Sequence, residues 1–205
     1  MLKIIIETLI FIIITLLIVS AFNKYDSEIN LAFTKRDVII ISIISLFCSL
    51  VINFKLRELS EVHILVCILT VLMLVMSYTD LKTMQVYTVL DLLAIIASAI
   101  YLVLNIEQVK LFVTIYPNNV ILMVSILIIV VLFITQGVGL GDTMLYSSLL
   151  IYYITKTELG SLVFVINILI SNFLFLIVNS TKFIKNKKRK LPLVPYILIA
   201  WILTC

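Results

Sequence analysis

Most of this chain consists of eight runs of apolar residues that are separated by short polar segments. A helix that crosses a bilayer needs about 20 mainly apolar residues, and most of the runs reach or approach that length. Each run is apolar on all sides rather than along one stripe, which is typical of helices surrounded by lipid or by other helices. We therefore predict helices over residues 3–22, 38–54, 62–79, 86–105, 111–135, 143–155, 159–179 and 191–205.

The sixth and eighth runs are shorter than a full membrane crossing. The sixth follows Gly137–Gly141. We expect this segment to enter the membrane as irregular backbone beside a polar cavity, because unpaired backbone groups are not tolerated in lipid. The resulting prediction is an all-α fold, a polytopic membrane helix bundle with about eight transmembrane helices. Residues 1–205 are expected to form a single integral membrane domain, and residues 1–63 to contribute its two N-terminal helices.

The composition supports the membrane interpretation and argues against several classes of site. Hydrophobic residues make up 63% of the chain and charged residues only 13%, too few to cover a soluble domain of 205 residues. The cysteines Cys48, Cys67 and Cys205 lie far apart in apolar runs, so we expect buried apolar residues rather than disulfide or zinc partners. The single histidine, His63, has no metal-ligand partner at a suitable spacing, and we predict no metal site and no cofactor.

The distribution of lysine and arginine predicts which side of the membrane each loop faces. Cytoplasmic loops carry an excess of these residues, and the densest cluster is the basic block at residues 185–190. With eight alternating helices and this block inside, ten of the fifteen basic residues lie in cytoplasmic loops and five lie outside. We expect the block to contact anionic lipid headgroups and not nucleic acid. The prediction is a multi-pass protein of the cytoplasmic membrane, with Asp80 and Asp142 near its cytoplasmic face.

Three of the four glycines, Gly137, Gly139 and Gly141, lie just before Asp142. Glycine permits a break in a helix and a close approach of backbone, whereas an aspartate at the centre of a membrane helix costs roughly 2.5–3.5 kcal/mol. The third apolar run ends at a second aspartate, Asp80. Two carboxyl groups that meet in a partly dry site share one proton, so that one activates water and the other polarises a carbonyl group. The pattern indicates an aspartic protease within the membrane.

These residues resemble the signatures of a known family. Gly139-Leu140-Gly141-Asp142 matches the Gly-x-Gly-Asp motif of intramembrane aspartyl proteases, and the surroundings are most similar to the prepilin peptidases, or type IV leader peptidases. In that family the first catalytic aspartate is followed by a hydrophobic residue and a basic one, as in Asp80-Leu81-Lys82. The family's proline pair at the start of the last helix is present here as Pro192 and Pro195. The resemblance covers about residues 64–205.

The resemblance implies an aspartic endopeptidase that removes the cytoplasmic leader from prepilin-like membrane proteins. Such substrates carry a basic leader followed by a single apolar helix. Asp80 and Asp142 would form the catalytic pair. The residues expected to shape the backbone or the substrate path are Gly139, Gly141, Lys82, Pro192 and Pro195.

Three positions depart from the family pattern, and one segment of its bifunctional members is missing. Tyr87 stands where a proline is expected, Met144 replaces a lysine and Val194 replaces a glycine, which leaves room for a different substrate. Bifunctional prepilin peptidases carry a cytoplasmic tetracysteine zinc segment and also methylate the new N-terminus. The first cytoplasmic loop here, at residues 23–37, is short and has no cysteine, so we expect no methyltransferase activity.

Simpler interpretations of the same residues stay open. Asp142 could cap the helix that follows it, Asp80 could be an interfacial residue beside Lys82, and Asp91 could form a hydrogen bond within the bundle. A different class of function is a proton- or cation-coupled transporter, in which Asp80, Asp91 and Asp142 bind the coupled ion and the glycine segment interrupts a transport helix. A third possibility is an inactive partner that binds pilin-like proteins.

Overall fold

The computed structural model describes residues 2–25, 33–55, 61–83, 88–107, 109–110, 118–135, 139–156, 159–185 and 191–205. In this part of the chain the regular secondary structure is entirely helical, which confirms the predicted all-α class. Each predicted apolar run contains one helix. The helices are α1 (Leu2–Tyr25), α2 (Lys35–Lys55), α3 (Glu61–Thr83), α4 (Thr88–Leu104), α5 (Asn118–Thr135), α6 (Leu140–Lys156), α7 (Gly160–Lys185) and α8 (Val194–Thr204).

The exterior of the bundle is strongly apolar. Met123 and Ile134 on α5, for example, are each 71% exposed. Contiguous apolar surface of this kind is typical of contact with a membrane or with other proteins. Among the described residues, three segments are long and apolar enough to cross a membrane: Lys35–Phe54, Leu65–Lys82 and Gly160–Ser180. Shorter apolar helical segments are Ile5–Ala21, Thr88–Leu104, Asn119–Leu132 and Val194–Thr204.

Helix α3 lies at the centre of the bundle. It contacts α1, α2, α4 and α8, and every residue from 69 to 77 is buried. Helix α4 in turn packs against α6, and α7 packs against both α6 and α8. Helix α5 lies on the outside of α6 and α7. Helix α3 therefore joins the N-terminal helices to the C-terminal part of the chain.

Helix α4 packs against α3 and α6 through a face that contains small side chains. Ala94 and Ser98 on this face are fully buried and lie one helical turn apart. Small residues at this spacing let helix backbones approach closely, as is common in membrane bundles. Asp91 lies one turn before Ala94 on the same buried face. The packing of α4 therefore carries the Asp91 carboxyl group into the bundle.

The junction between α6 and α7 depends on Gly160. A Cβ atom at this position would lie 1.8 Å from the carbonyl oxygen of Tyr153, which is far shorter than any nonbonded contact. Because glycine has no Cβ atom, α7 can begin directly against the last turns of α6.

Helix α8 is anchored by Trp201, which is fully buried. Its Nε1–H group donates a hydrogen bond of 2.9 Å to Thr70 Oγ1 in α3. Its ring packs edge-on against Tyr152 and Tyr153 of α6, with centroid distances of 4.7 and 5.7 Å. These contacts fix α8 against α3 and α6, so that its N-terminus lies beside the end of α3.

Polar side chains join the two N-terminal helices within the bundle. Ser49 Oγ donates a hydrogen bond of 3.2 Å to Thr8 Oγ1, and Asn53 Nδ2 donates one of 3.3 Å to the same oxygen. Two turns further along α1, the hydroxyl groups of Thr15 and Ser45 are 3.2 Å apart. Hydrogen bonds of this kind are a common link between helices where lipid removes the hydrophobic driving force for association.

Candidate active site

Asp80 lies in the last turn of α3 and is bound by the N-terminus of α8. Only 6% of the residue is exposed. Its Oδ2 atom accepts a hydrogen bond of 3.1 Å from the backbone N–H of Val194, and the N–H of Leu193 also donates to the carboxyl group. Helix N-termini carry unpaired N–H groups and a partial positive charge, both of which stabilise a carboxylate. The carboxyl group of Asp80 thus caps a helix that lies 114 residues further along the chain.

Pro192 and Pro195 explain why the N-terminus of α8 is suited to bind Asp80. Proline has no N–H group, and its fixed φ angle suits the first turn of a helix. The N–H of Tyr196 is used inside the turn, where it donates to the carbonyl oxygen of Leu193 at 3.0 Å. The donors left at this end are those of Leu193 and Val194, and both point to Asp80. The two prolines therefore flank the donors that bind Asp80.

Asp142 lies in the first turn of α6, where its carboxyl group folds back towards Gly139. The N–H of Gly139 donates a hydrogen bond to this carboxyl group, and the carbonyl oxygen of Gly139 accepts the N–H of Thr143 at 3.0 Å. A Cβ atom on Gly139 would lie only 3.1 Å from Asp142 Oδ2. Glycine at this position therefore makes room for the carboxyl group.

The glycine segment is less irregular than we predicted. Gly139 precedes α6, as expected for a break, but Gly141 lies inside the first turn of the helix. Asp142 is therefore the third helical residue rather than the residue before the helix. The reason is local, since the Gly139 carbonyl group already accepts the first helical hydrogen bond. Gly137 lies outside the described residues.

The fold brings the two predicted aspartates together. Asp80 on α3 and Asp142 on α6 are close enough for their carboxyl groups to interact electrostatically, although they are far apart in the sequence. The second oxygen of Asp142, Oδ1, is buried and has no hydrogen-bond partner among the described residues. This oxygen is available to a proton, a water molecule or a substrate.

Asp91 is a third carboxyl group in the same region. It is 1% exposed, and its Oδ1 atom has no hydrogen-bond partner among the described residues. Its carboxyl group interacts electrostatically with that of Asp142. We considered a hydrogen bond from Asp91 to another residue of the bundle. Among the described residues, the Oδ1 atom of Asp91 forms no such bond. The three acids form a series in which Asp142 interacts with both of the others.

Lys82 does not neutralise the aspartate pair, because its charge is paired with Asp37. The Lys82 Nζ atom lies 2.7 Å from Asp37 Oδ2, and the hydroxyl group of Tyr78 donates to Asp37 Oδ1. The N–H of Thr34 also donates to Asp37 Oδ2 at 2.8 Å, while the N–H of Asp37 donates to Thr34 Oγ1 at 3.3 Å. Among the described residues, the ion pair of Lys82 is therefore formed with Asp37 and not with the neighbouring Asp80.

Asp37 was not among the residues selected from the sequence. The Thr34-x-x-Asp37 spacing is close to that of a capping box and could have predicted the start of α2. It could not have predicted that the same carboxylate binds Tyr78 and Lys82, which belong to α3. Phe33 completes this cluster, since its ring stacks on Tyr78 with centroids 5.8 Å apart and lies 5.9 Å from Lys82 Nζ.

The arrangement can support acid–base chemistry. Two carboxyl groups that interact electrostatically in a poorly solvated site retain one proton more readily than they both ionise. Among the described residues, no three His, Cys, Asp or Glu side chains are placed to hold a metal ion.

Two features of the sequence prediction lie outside the described residues. These are Tyr87 and, apart from Lys185, the basic block that we expect to bind lipid.

Among the sequence-predicted site residues that the structure describes, Asp80 and the proline pair lie at the junction of α3 and α8, and Asp142 lies with Gly139 and Gly141 at the start of α6, which packs against α4. Comparison of the chain with protein-family models, with curated proteins and with solved structures finds no match in any of the three.

Proposed function

We propose that this chain is an intramembrane aspartic endopeptidase of the prepilin peptidase type, which removes the leader of prepilin-like membrane proteins. The observation that carries the proposal is the electrostatic interaction between the buried carboxyl groups of Asp80 and Asp142. The Gly-x-Gly-Asp motif and the proline pair support the same assignment, since each lies against one of the two carboxyl groups.

The two aspartates have different surroundings, and these assign their roles. Asp80 receives two backbone N–H groups at the N-terminus of α8, whereas Asp142 receives one from Gly139, so these donors favour the carboxylate form more on Asp80 than on Asp142. Asp80 is therefore the general base. Asp142 holds the shared proton and is the general acid, and its Oδ1 atom faces no competing donor among the described residues.

Hydrolysis follows from these roles. Asp80 removes a proton from water while the water oxygen attacks the carbonyl carbon of the scissile peptide bond, and Asp142 donates its proton to the carbonyl oxygen. The proton on Asp80 then passes to the leaving nitrogen as the C–N bond breaks, and one hydroxyl group of the tetrahedral intermediate returns its proton to Asp142. A carboxylic acid and an amine result, and the pair returns to its singly protonated form. The chemistry needs no cofactor.

The membrane arrangement completes the proposal. Eight helices cross the cytoplasmic membrane, and the excess of lysine and arginine, ten residues against five, orients the aspartate pair towards the cytoplasm. Both water and a basic leader peptide reach the pair from that side. The basic block at residues 185–190 contacts anionic lipid headgroups. The partner is a single-helix membrane substrate, and no nucleic acid is involved.

A proton- or cation-coupled transporter is the second candidate, and Asp91 is the observation that favours it. A third buried carboxyl group in electrostatic contact with Asp142 is not required for peptide hydrolysis, whereas a chain of carboxyl groups is a common route for protons in transporters. The transporter uses Asp80, Asp91 and Asp142 to bind the coupled ion. Reconstituted vesicles would then show a flux driven by a pH or cation gradient.

Co-expression with a tagged prepilin-like substrate tests the protease proposal. The wild-type chain is expected to yield a shortened product, and Asp80→Asn and Asp142→Asn are each expected to abolish it, because asparagine cannot take part in proton transfer. Glu107→Gln is the control, since the exposed Glu107 carboxylate forms a surface ion pair with Lys110, apart from the proposed site. Normal cleavage by either aspartate variant would contradict the mechanism, and gradient-driven flux without a shortened product would favour the transporter.

A further inference from the structure

Asp91 is a buried acid for which the proposed hydrolytic mechanism has no role. It lies near the start of α4, on the face whose small residues allow close packing. It is 1% exposed and its Oδ1 atom has no partner among the described residues. A buried carboxyl oxygen without a hydrogen-bond partner costs free energy, so a purely structural role does not account for the Oδ1 atom of Asp91.

The groups around Asp91 leave Asp142 as its main electrostatic neighbour. Helix α6 packs against α4, and Asp91 and Asp142 each lie in the first turn of their helix, where the two carboxyl groups interact electrostatically. Tyr146 on α6 interacts with Asp142 and shares a hydrogen bond with Ser171. From α3, Asp80 interacts with Asp142.

The charged and titratable groups further out on α3 are already engaged. Lys82 and Tyr78 both bind Asp37 of α2. No described cation therefore interacts with Asp91, and any charge on this acid acts on the shared proton of the pair.

We propose that Asp91 is a positioning residue for this proton and keeps it on the Asp80–Asp142 pair as the pH rises. At low pH Asp91 is neutral and has little effect on the pair. At higher pH it becomes a carboxylate, and a like charge beside Asp142 opposes the loss of the last proton from the pair. Because the working form of the pair holds one proton, Asp91 extends activity to higher pH. The expected effect on the cleavage rate rests on the proposed function. The electrostatic coupling of the three acids does not depend on it.

The pH dependence of leader cleavage tests the inference. Asp91→Asn removes the charge and is expected to move the alkaline limb of the rate profile to lower pH, while the acid limb changes little because neutral aspartic acid and asparagine are alike. Asp91→Leu should shift the same limb, which guards against an effect specific to the amide. Asp91→Glu restores a carboxylate and is expected to restore the limb. Glu107→Gln, which removes an exposed carboxylate, should leave both limbs in place.

A structural role for Asp91 predicts a different result. The rate would then fall equally at every pH, and the two limbs would not move. That outcome would overturn the proposal. Loss of all activity in both Asp91→Asn and Asp91→Leu, in protein that remains folded, would also overturn it, since Asp91 would then belong to the catalytic pair itself.

Infrared absorption of neutral carboxyl groups gives a readout that does not depend on cleavage. As the pH rises, the neutral carboxyl band that Asp142→Asn removes is expected to persist to higher pH in the wild-type chain than in Asp91→Asn. Identical titrations of the two proteins would refute the coupling even if cleavage occurs. If the infrared difference is found but no prepilin-like substrate is cleaved, the proposed function fails and the coupling of the three acids stands.

Discussion

At the scale of single residues, the candidate site depends on what each backbone group can donate and what each side chain leaves room for. Asp80 receives its donors from Leu193 and Val194 because the neighbouring prolines have none to offer. Asp142 fits against Gly139 because that residue lacks a Cβ atom. The sequence predicted the importance of the glycines and prolines, but it could not show which carboxyl group each one would meet.

Gly139→Ala is expected to lower the cleavage rate about tenfold to 100-fold, since small displacements of a catalytic group have effects of this size. The added Cβ atom would lie 3.1 Å from Asp142 Oδ2 and would push the carboxyl group away from its present position. The helix should persist, because alanine is a good helix former. The rate of product formation in membranes measures the effect.

Leu140→Ala is the matched control for this variant. Leu140 is the next residue, and its side chain is 54% exposed, so its removal leaves Asp142 undisturbed. An unchanged rate in Gly139→Ala, or an equal loss in the two variants, would contradict the assigned role of Gly139.

At the scale of elements, the apolar runs predicted the helices well and their ends less well. Helix α3 continues to Thr83 and α7 to Lys185, beyond the apolar runs that predicted them, because a helix can extend past the hydrophobic segment into polar residues. Helix α2 begins before its apolar run, at Lys35, where Thr34 and Asp37 satisfy its first N–H groups. The attachment of α2 to α3 through Asp37 could not be predicted, since it joins residues 41 and 45 positions apart.

Asp37→Ala is expected to lower the thermal stability of the purified protein more than Lys82→Ala. Asp37 contributes a helix cap, which is worth about 1 kcal/mol, and also accepts hydrogen bonds from Tyr78 and Lys82. The Lys82 side chain is 34% exposed, against 13% for Asp37. Water can therefore replace more of the interactions that are lost in Lys82→Ala than of those lost in Asp37→Ala. Thermal unfolding in detergent measures both variants.

The double variant Asp37→Ala, Lys82→Ala serves as the control for this pair. Because the two side chains interact, its destabilisation should be smaller than the sum of the two single effects. Strict additivity, or a larger effect for Lys82→Ala, would show that the ion pair does not link α2 to α3.

At the scale of the whole molecule, the bundle matters because it brings distant acids to one end. The sequence supported an all-helical chain with a strongly apolar surface, since both follow from composition and run length. It also indicated that Asp80 and Asp142 would lie at the same end, because alternating helices place them there. The sequence offered Asp91 as a third acid in the transporter alternative, but it could not show that Asp91 interacts with Asp142, since that depends on the rotation of α4 against α6 rather than on the number of helices.

The central claim is that Asp80 and Asp142 act as one unit. A double-mutant comparison of leader cleavage tests this claim most directly. Cleavage rates would be measured for the wild-type chain, Asp80→Asn, Asp142→Asn and the double variant. Each single substitution is expected to lower the rate about 100-fold or more, and the double variant should lose no more than either single one, because residues that act together are not additive. Losses that multiply in the double variant, or a normal rate in either single variant, would contradict the account.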